Sequence, residues 1–320
     1  AAGCARTGRG GALWWPRVWA SVYGARCWCA LLRYRANLLR FQIDGQSIGG
    51  FAEWNNRINE FSVDAGAHYY DGKREHAQDN RTTAATVYRN TGRKHGVDAF
   101  IKGGWDHARW HLFADAQWRT ATFSYDGDVA IAPVSWNFFN PKAGVRYDFT
   151  PALSGFVSAG RASREPARSD LLAGEDNASL AYDLSAVKPE IVNDYELGLD
   201  YKSAKLSASA GLYAMEFHNE IAATGELTAV GYPLRRNTER SCRRGIELDL
   251  HGPPCEHWKF DSALNLSRNR IARWNQFYDI YDSAANYLPS QARPPNTIRP
   301  HPTPHPTPPT TPPRPPGPAA

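Results

Sequence analysis

The sequence predicts an all-β chain of long antiparallel strands, forming part of a membrane-spanning barrel. Three observations predict it. Apolar and polar residues alternate with period two through most of residues 58–274, many of these runs exceed ten residues, and the links between them switch between short and long. Alternation marks strands with two unlike faces. The runs are longer than the ~5–6 residues of ordinary globular strands. Short turns and long loops in strict succession are the pattern of outer-membrane barrels, whereas compact soluble domains seldom carry several long structureless loops.

Composition removes other classes. A membrane-spanning helix needs ~20 consecutive apolar residues, and the longest uncharged run in the body, 129–141, is shorter and holds two prolines. The 11 Trp, 15 Tyr and 13 Phe argue against a wholly disordered chain. The net charge of +5 is unevenly placed: residues 1–43 hold seven Arg and 289–320 three, neither with an acid, which leaves −5 for 44–288. Nucleic-acid binding requires basic charge on the folded surface, so a nucleic-acid partner is not expected.

From the N-terminus, residues 1–43 read as an atypical basic segment distinct from the barrel. Cys27-Trp28-Cys29 is too tightly spaced for the usual zinc pair. Residues 12–15 are cut off by Pro16-Arg17, so no signal peptide is expected here. The barrel portion is placed at 44–288, with strands at 58–71, 97–106, 110–120, 136–149, 152–163, 191–202, 205–219, 239–250 and 257–272, and a tenth candidate at 38–48. Their alternation is read residue by residue: Phe61, Val63, Ala65, Ala67 and Tyr69; Trp110, Leu112, Ala114, Ala116 and Trp118; Tyr195, Leu197, Leu199 and Tyr201; Ile246, Leu248 and Leu250. Short links fall at 106–109, 150–151, 203–204 and 251–256; long loops are expected at 72–96, 121–135, 164–190 and 220–238. Trp54-Asn55-Asn56 reads as loop or strand entry, and Asp126-Gly127-Asp128 as a turn. Cys242 and Cys255 are expected as free thiols, with one bridge between neighbouring strands as the alternative. Fourteen of the 23 prolines follow Leu288, so 289–320 reads as a disordered, polyproline-like tail, and His301 and His305 as solvated within it.

Parity alone does not say which face meets lipid. Tyr195 and Tyr201, and Trp110 and Trp118, stand near opposite ends of one apolar face, as aromatic girdles do at two membrane interfaces. The alternative is a soluble β-rich binding or adhesion domain, in which these aromatics pack across strands.

The segments Phe139-Asn140-Pro141-Lys142-Ala143-Gly144-Val145-Arg146-Tyr147, Ser163-Arg164-Glu165-Pro166, Lys188-Pro189-Glu190, Asn193-Asp194-Tyr195-Glu196-Leu197-Gly198-Leu199, Tyr213-Ala214-Met215-Glu216-Phe217 and Arg243-Arg244-Gly245-Ile246-Glu247-Leu248 follow in an order that resembles the C-terminal barrel of TonB-dependent outer-membrane receptors. The resemblance is closest over 136–250 and extends more loosely from about 51 to 282. It implies about 9–10 strands of a larger, about 22-stranded barrel with a plugged lumen, located in the bacterial outer membrane and in contact with its lipid. It implies import of a ferric siderophore, cobalamin or another scarce ligand, driven by the TonB complex acting through a plug domain that is absent from this chain. By that measure this chain is not expected to transport by itself.

Glu216 and Glu220 lie four apart, about 13 Å along a strand, too far for a glycosidase pair. Glu216 is expected near the rim of the lumen; hydrolysis using Glu216 is the least favoured function. No catalytic residue, cofactor or metal site is expected, and the chain is not read as an enzyme. Anion capture is the more plausible chemistry. Arg164, Arg168, Arg235 and Arg236 lie in or beside two long loops, and their guanidinium forks suit carboxylate or catecholate oxygens; arginine at a barrel rim also meets lipid head groups.

Overall fold

The computed structural model describes residues 17–34, 37–227, 233–255, 258–281 and 287–293. Its strands are β1 (Arg17–Tyr34), β2 (Asn37–Ile58), β3 (Phe61–Asn80), β4 (Ala85–His107), β5 (Trp110–Asp126), β6 (Val134–Asp148) and β7 (Leu153–Arg164). A one-turn helix α1 (Arg168–Leu171) and a 3-10 turn (Leu184–Ala186) follow. Then come β8 (Glu190–Lys202), β9 (Ser207–His218), β10 (Ile221–Leu227), β11 (Pro233–Asn237), β12 (Arg240–Cys255), β13 (Trp258–Ile271), β14 (Gln276–Tyr281) and β15 (Tyr287–Arg293).

Eleven of these strands form one antiparallel sheet in the order β1-β2-β3-β4-β5-β6-β7-β8-β9-β12-β13, and β10-β11 and β14-β15 form separate hairpins. Among the described residues β1 and β13 do not pair, so the sheet is an open arc. Nine or ten strands were expected. The additions are β1, inside the basic segment, and the full length of β2, which also carries Trp54-Asn55-Asn56 as strand and not loop. Residues 289–293, expected within the disordered tail, belong to β15, and residues 1–16 and 294–320, with most of the Pro-rich tail, lie outside the described residues. Cys242 is a free thiol. Cys242 and Cys255 share β12, so the alternative of a bridge between neighbouring strands does not arise: thirteen residues along one strand separate them by about 43 Å.

Registers place the two faces unambiguously. Leu112, Val145, Val157, Leu197, Leu212, Ile246 and Leu266 form one continuous row across seven strands. Six of the seven, all but Val145, are 40–58% exposed. A soluble sheet buries such a stripe. Trp110 and Trp118 stand on this face about 27 Å apart along β5, and Tyr195 and Tyr201 about 20 Å apart along β8, both exposed. On the opposite face Asp64, Lys102, Asp115, Lys142, Gly160, Asp194, Met215 and Arg243 are in register, the first four alternating in sign from strand to strand. Opposite charges facing each other across a ladder support the pairing.

The polar face also carries a repeated fit between rings and glycines. Phe113 lies opposite Gly144, Phe156 opposite Gly198, and Tyr213 opposite Gly245. In each pair the ring occupies the space where a glycine Cβ would sit. Three of the segments that carry the family resemblance therefore hold a glycine because the neighbouring strand's aromatic ring fills its place.

One end of the sheet has tight turns. Asn59 and Ala108 adopt left-handed φ values of 54° and 51° in the β2–β3 and β4–β5 turns. The other end corrects two of the four expected loops. Residues 72–96 are not a loop: β3 and β4 continue to a four-residue turn at 81–84, where the Asn80 side chain accepts from the amides of Thr82 and Thr83. Ion pairs hold the extension, Asp71 with Arg93 and Glu75 with Arg89. Both faces are polar there, which erased the alternation that marks a strand. Residues 220–238 likewise contain the β10–β11 hairpin. The 121–135 link shortens to 127–133 as β5 and β6 lengthen, whereas 165–189 remains a long connection.

Candidate functional site

The 165–189 connection folds back over the polar face of β5 and β6. Leu171, Leu172, Ala178 and Leu184 are buried against Ala121, Phe123, Tyr125, Ile131, Trp136 and Phe138. This is the principal hydrophobic core among the described residues, and each buried leucine contributes roughly 1.5–3 kcal/mol. Local chemistry shapes the segment. Asp170 accepts from the Ala167 amide at 2.9 Å to start α1, Ala173 and Gly174 turn left-handed to end it, and Asp183 accepts from the Ser185 amide at 3.0 Å to open the 3-10 turn.

Two polar anchors, the first buried and the second partly buried, fix the fold-back. At its start Glu165, with a side chain only 4% exposed, pairs with Lys94 and Arg119. Arg119 also lies 4.9 Å over the Phe138 ring. Burial pushes the Glu165 carboxyl up, but the Lys94 hydrogen bond and the Lys94 and Arg119 charges outweigh it and hold the group below its usual value. Glu165 belongs to the Ser163–Pro166 motif, and its role is to pin the loop to the wall.

Farther along, Asp176 accepts from Tyr88 at 2.5 Å and pairs with His76 at 2.6 Å and Arg168 at 3.8 Å. Asn90 donates to the Asp176 carbonyl at 3.0 Å and to Asn177 at 2.9 Å. Arg168 donates to Asn90 and to the Asp176 carbonyl, at 2.8 and 2.7 Å, and lies over the Tyr125 ring. The Tyr125 hydroxyl donates to Asn177 and accepts from the Ala178 amide, both at 3.0 Å. Burial raises the Asp176 carboxyl, yet His76, Tyr88 and Arg168 together hold it below the usual aspartate value.

The signs of both shifts set the pH dependence. A carboxylate with a depressed folded value contributes stability that is complete above its unfolded value and is lost as pH falls through the folded one. Protection of residues 165–189 from protease should therefore stay constant from pH 7 to about pH 5 and decline below about pH 4. Loss of protection near pH 6 would contradict the anchoring.

A second cluster joins this loop to the β10–β11 hairpin. Asn237 donates to the carbonyls of Lys188 and Asn219, each at 2.8 Å, and accepts from the Lys188 amide at 2.9 Å. Glu220 and Ser241 are buried and bonded to each other, Glu220 also pairs with the more exposed Arg243, and Arg243 lies 4.5 Å over Phe217.

The four arginines singled out by sequence occupy unlike settings. Arg164 is exposed and meets Glu190 at 3.2 Å. Arg168 is packed into the Asp176 anchor, where burial depresses its usual value. Arg235 and Arg236 are exposed on β11, Arg236 3.5 Å from Glu226. The foot of that hairpin touches Lys188, two residues before the Glu190 that meets Arg164, whereas Arg168 stands apart in its anchor. Glu216 is not at the lumen rim: it shares the parity of Leu212 and Ala214 on the apolar face and pairs with Arg244 at 3.2 Å. Glu216 and Glu220 form no common site. Sequence reading missed His76, Tyr88 and Asn90, which meet the loop only through pairings 86–100 residues long. Among the described residues no group of three or more His, Cys, Asp or Glu is placed to hold a metal ion.

Residues 19–303 match the family described as TonB dependent receptor-like, beta-barrel. No curated protein matches the chain. Among solved structures, the copper transporter OprC aligns with a TM-score of 0.63 at 17% identity, over 73% of this chain and 40% of that one. The alcaligin outer membrane receptor FauA from Bordetella pertussis aligns at 0.55 and 15%, over 86% and 45%. The ferric citrate transporter FecA, in unliganded form, aligns at 0.57 and 13%, over 76% and 39%. At such identities the likeness is one of fold, and the chain spans less than half the length of each.

Proposed function

Because the chain belongs to the TonB-dependent receptor β-barrel family, we propose that it forms part of the wall of an outer-membrane receptor that imports a ferric siderophore or a similarly scarce ligand such as cobalamin. The apolar face meets lipid and the charged face lines a wet lumen. The observation that carries this reading is the continuous exposed row from Leu112 to Leu266, bounded by Trp and Tyr, with the charged ladder and the anchored loop on the other side. Lipid hydrocarbon makes that exposure favourable, and lumen water solvates the ladder.

On this reading the 165–189 segment narrows the lumen, and Arg164, Arg235 and Arg236 offer guanidinium forks to an anionic complex arriving at the rim. Energy for import comes from TonB acting through a plug domain. Cells carrying the gene that encodes this chain, grown under iron chelation, are given radioactive iron as ferric citrate or ferric enterobactin, or radioactive cobalamin. Surface binding of one of these is expected, to be lost on deletion of the gene and weakened in R164Q/R235Q/R236Q. Unchanged binding after deletion, for all three, would count against the ligand class.

A further inference from the structure

The turn end of the polar face holds a chain of charges that the import reading does not use. His111, the second residue of β5, stands between Asp106 near the end of β4 and Asp148 at the end of β6. Its Nδ1 lies 2.8 Å from one oxygen of Asp106, and its Nε2 lies 3.0 Å from one oxygen of Asp148. The second oxygen of each aspartate is engaged as well: Arg57 donates to Asp106 at 2.9 Å, and Arg146 donates to Asp148 at 3.1 Å. Register sets Asp106 opposite His111 and His111 opposite Arg146, so one imidazole joins two strands that are not neighbours in the sheet. The groups around this chain have other partners or no charge. Glu60, before β3, meets His107 at 2.7 Å, and Arg109 donates to the Phe149 carbonyl at 3.3 Å. On β7 the positions in register with Arg146 and Asp148 are Phe156 and Ser154.

What faces the ring dictates its hydrogens. An ionised carboxylate only accepts hydrogen bonds, and a neutral imidazole has one donor nitrogen and one acceptor. With Arg57 and Arg146 donating to their other oxygens, both aspartates are ionised acceptors. Both ring nitrogens must then donate, which only the imidazolium does. Loss of one proton sets a nitrogen lone pair against a carboxylate oxygen, and that contact opens. We propose that His111 is a proton-operated cross-tie: with both nitrogens protonated it binds β4 to β6 across β5, and as pH rises it releases one aspartate and loosens the turn end of the wall. Histidine is the side chain suited to such a device, because its charge changes within the range where proteins work. Short turns of an outer-membrane barrel face the periplasm, so the tie answers to the pH of that compartment. It acts within the sheet whatever ligand the receptor takes, and so stands apart from the import reading.

The test uses the whole chain refolded in detergent micelles with nitrogen-15 in its histidines, compared with H111Q, H111R and D106N/D148N. The His111 signals are identified by their absence from H111Q. At about pH 7.5 both of its nitrogens should carry hydrogen in the original chain, whereas in D106N/D148N one should have lost it, as in an ordinary histidine. Hydrogen exchange then reads the tie itself, at the amides of Asp106, His111, Tyr147 and Asp148, with the intrinsic base dependence of exchange divided out. Protection in the original chain should fall by roughly threefold between about pH 6.5 and pH 9, the size of a partly exposed charged contact. Arginine donates to carboxylates at every pH in this range, so H111R should keep its protection throughout, and H111Q should lack it throughout. A His111 with a single hydrogen at about pH 7.5 would overturn the proposal. So would an equal fall in the original chain and H111Q, or a fall in H111R as large as the original's.

Discussion

Replacing Leu197 with arginine is expected to cost about 2–4 kcal/mol of folding free energy in a bilayer, the price of a cation near the midplane of a barrel's lipid face. Leu197 lies on β8 between Tyr195 and Tyr201, with Val157 and Leu212 as its neighbours in the row. It is 54% exposed, so in water the same change would remove little packing and would even improve solubility. The sign of the effect therefore reports the solvent. Asp115→Asn, on the opposite face, removes one charge between Lys102 and Lys142 and should cost about 1 kcal/mol or less, well short of the Leu197→Arg loss. The measurement is the urea midpoint of each variant refolded in phosphatidylcholine vesicles. A harmless Leu197→Arg would mean that this face does not touch hydrocarbon.

The second large effect is local. Glu165→Gln leaves Lys94 and Arg119 facing each other without the carboxylate that joins them. Removing one partner of a buried pair costs about 3–5 kcal/mol; because Lys94 is partly exposed, about 2–3 kcal/mol is the reasonable expectation here. The loss falls on the fold-back, since the sheet ladder does not depend on Glu165. Hydrogen exchange at Leu171 and Leu172 should quicken by roughly 30–150-fold, with little change in the amides of β8 and β9. Uniform acceleration across the sheet would show that the loop is part of the barrel's own stability and not a segment docked upon it.

The strands were legible where one side of the sheet is apolar and the other wet. Phe61–Tyr69, Trp110–Trp118 and Tyr195–Tyr201 alternate because each successive side chain meets a different environment. Beyond the apolar band that contrast vanishes. From Gly72 to His95 both sides carry polar residues, one toward water and the other toward the polar underside of the folded-back loop, so a tall hairpin reads as a loop, and its ion pairs are visible only once the register is known. The site was legible in part. Glu165 sits in a recognisable motif, and Arg164, Arg168, Arg235 and Arg236 are where loop chemistry would be sought. His76 and Asp176 come together from 100 residues apart, and no local spacing foretells such a meeting. Arg168 was a sound choice for an anion contact by residue type, but Asp176 and Asn90 engage it within the protein.

The rings seated on Gly144, Gly198 and Gly245 bear on how the sheet assembles. Sliding one strand by a single residue turns its oily side inward and is rejected at once, whereas a slide by two keeps every side chain on its proper side. Such a slide would drive Phe156 onto Glu196 or Asp200 instead of Gly198, and Tyr213 onto Arg243 or Glu247 instead of Gly245. The notches thus act as alignment keys during insertion, rejecting the one misalignment that the division into oily and wet sides would let pass.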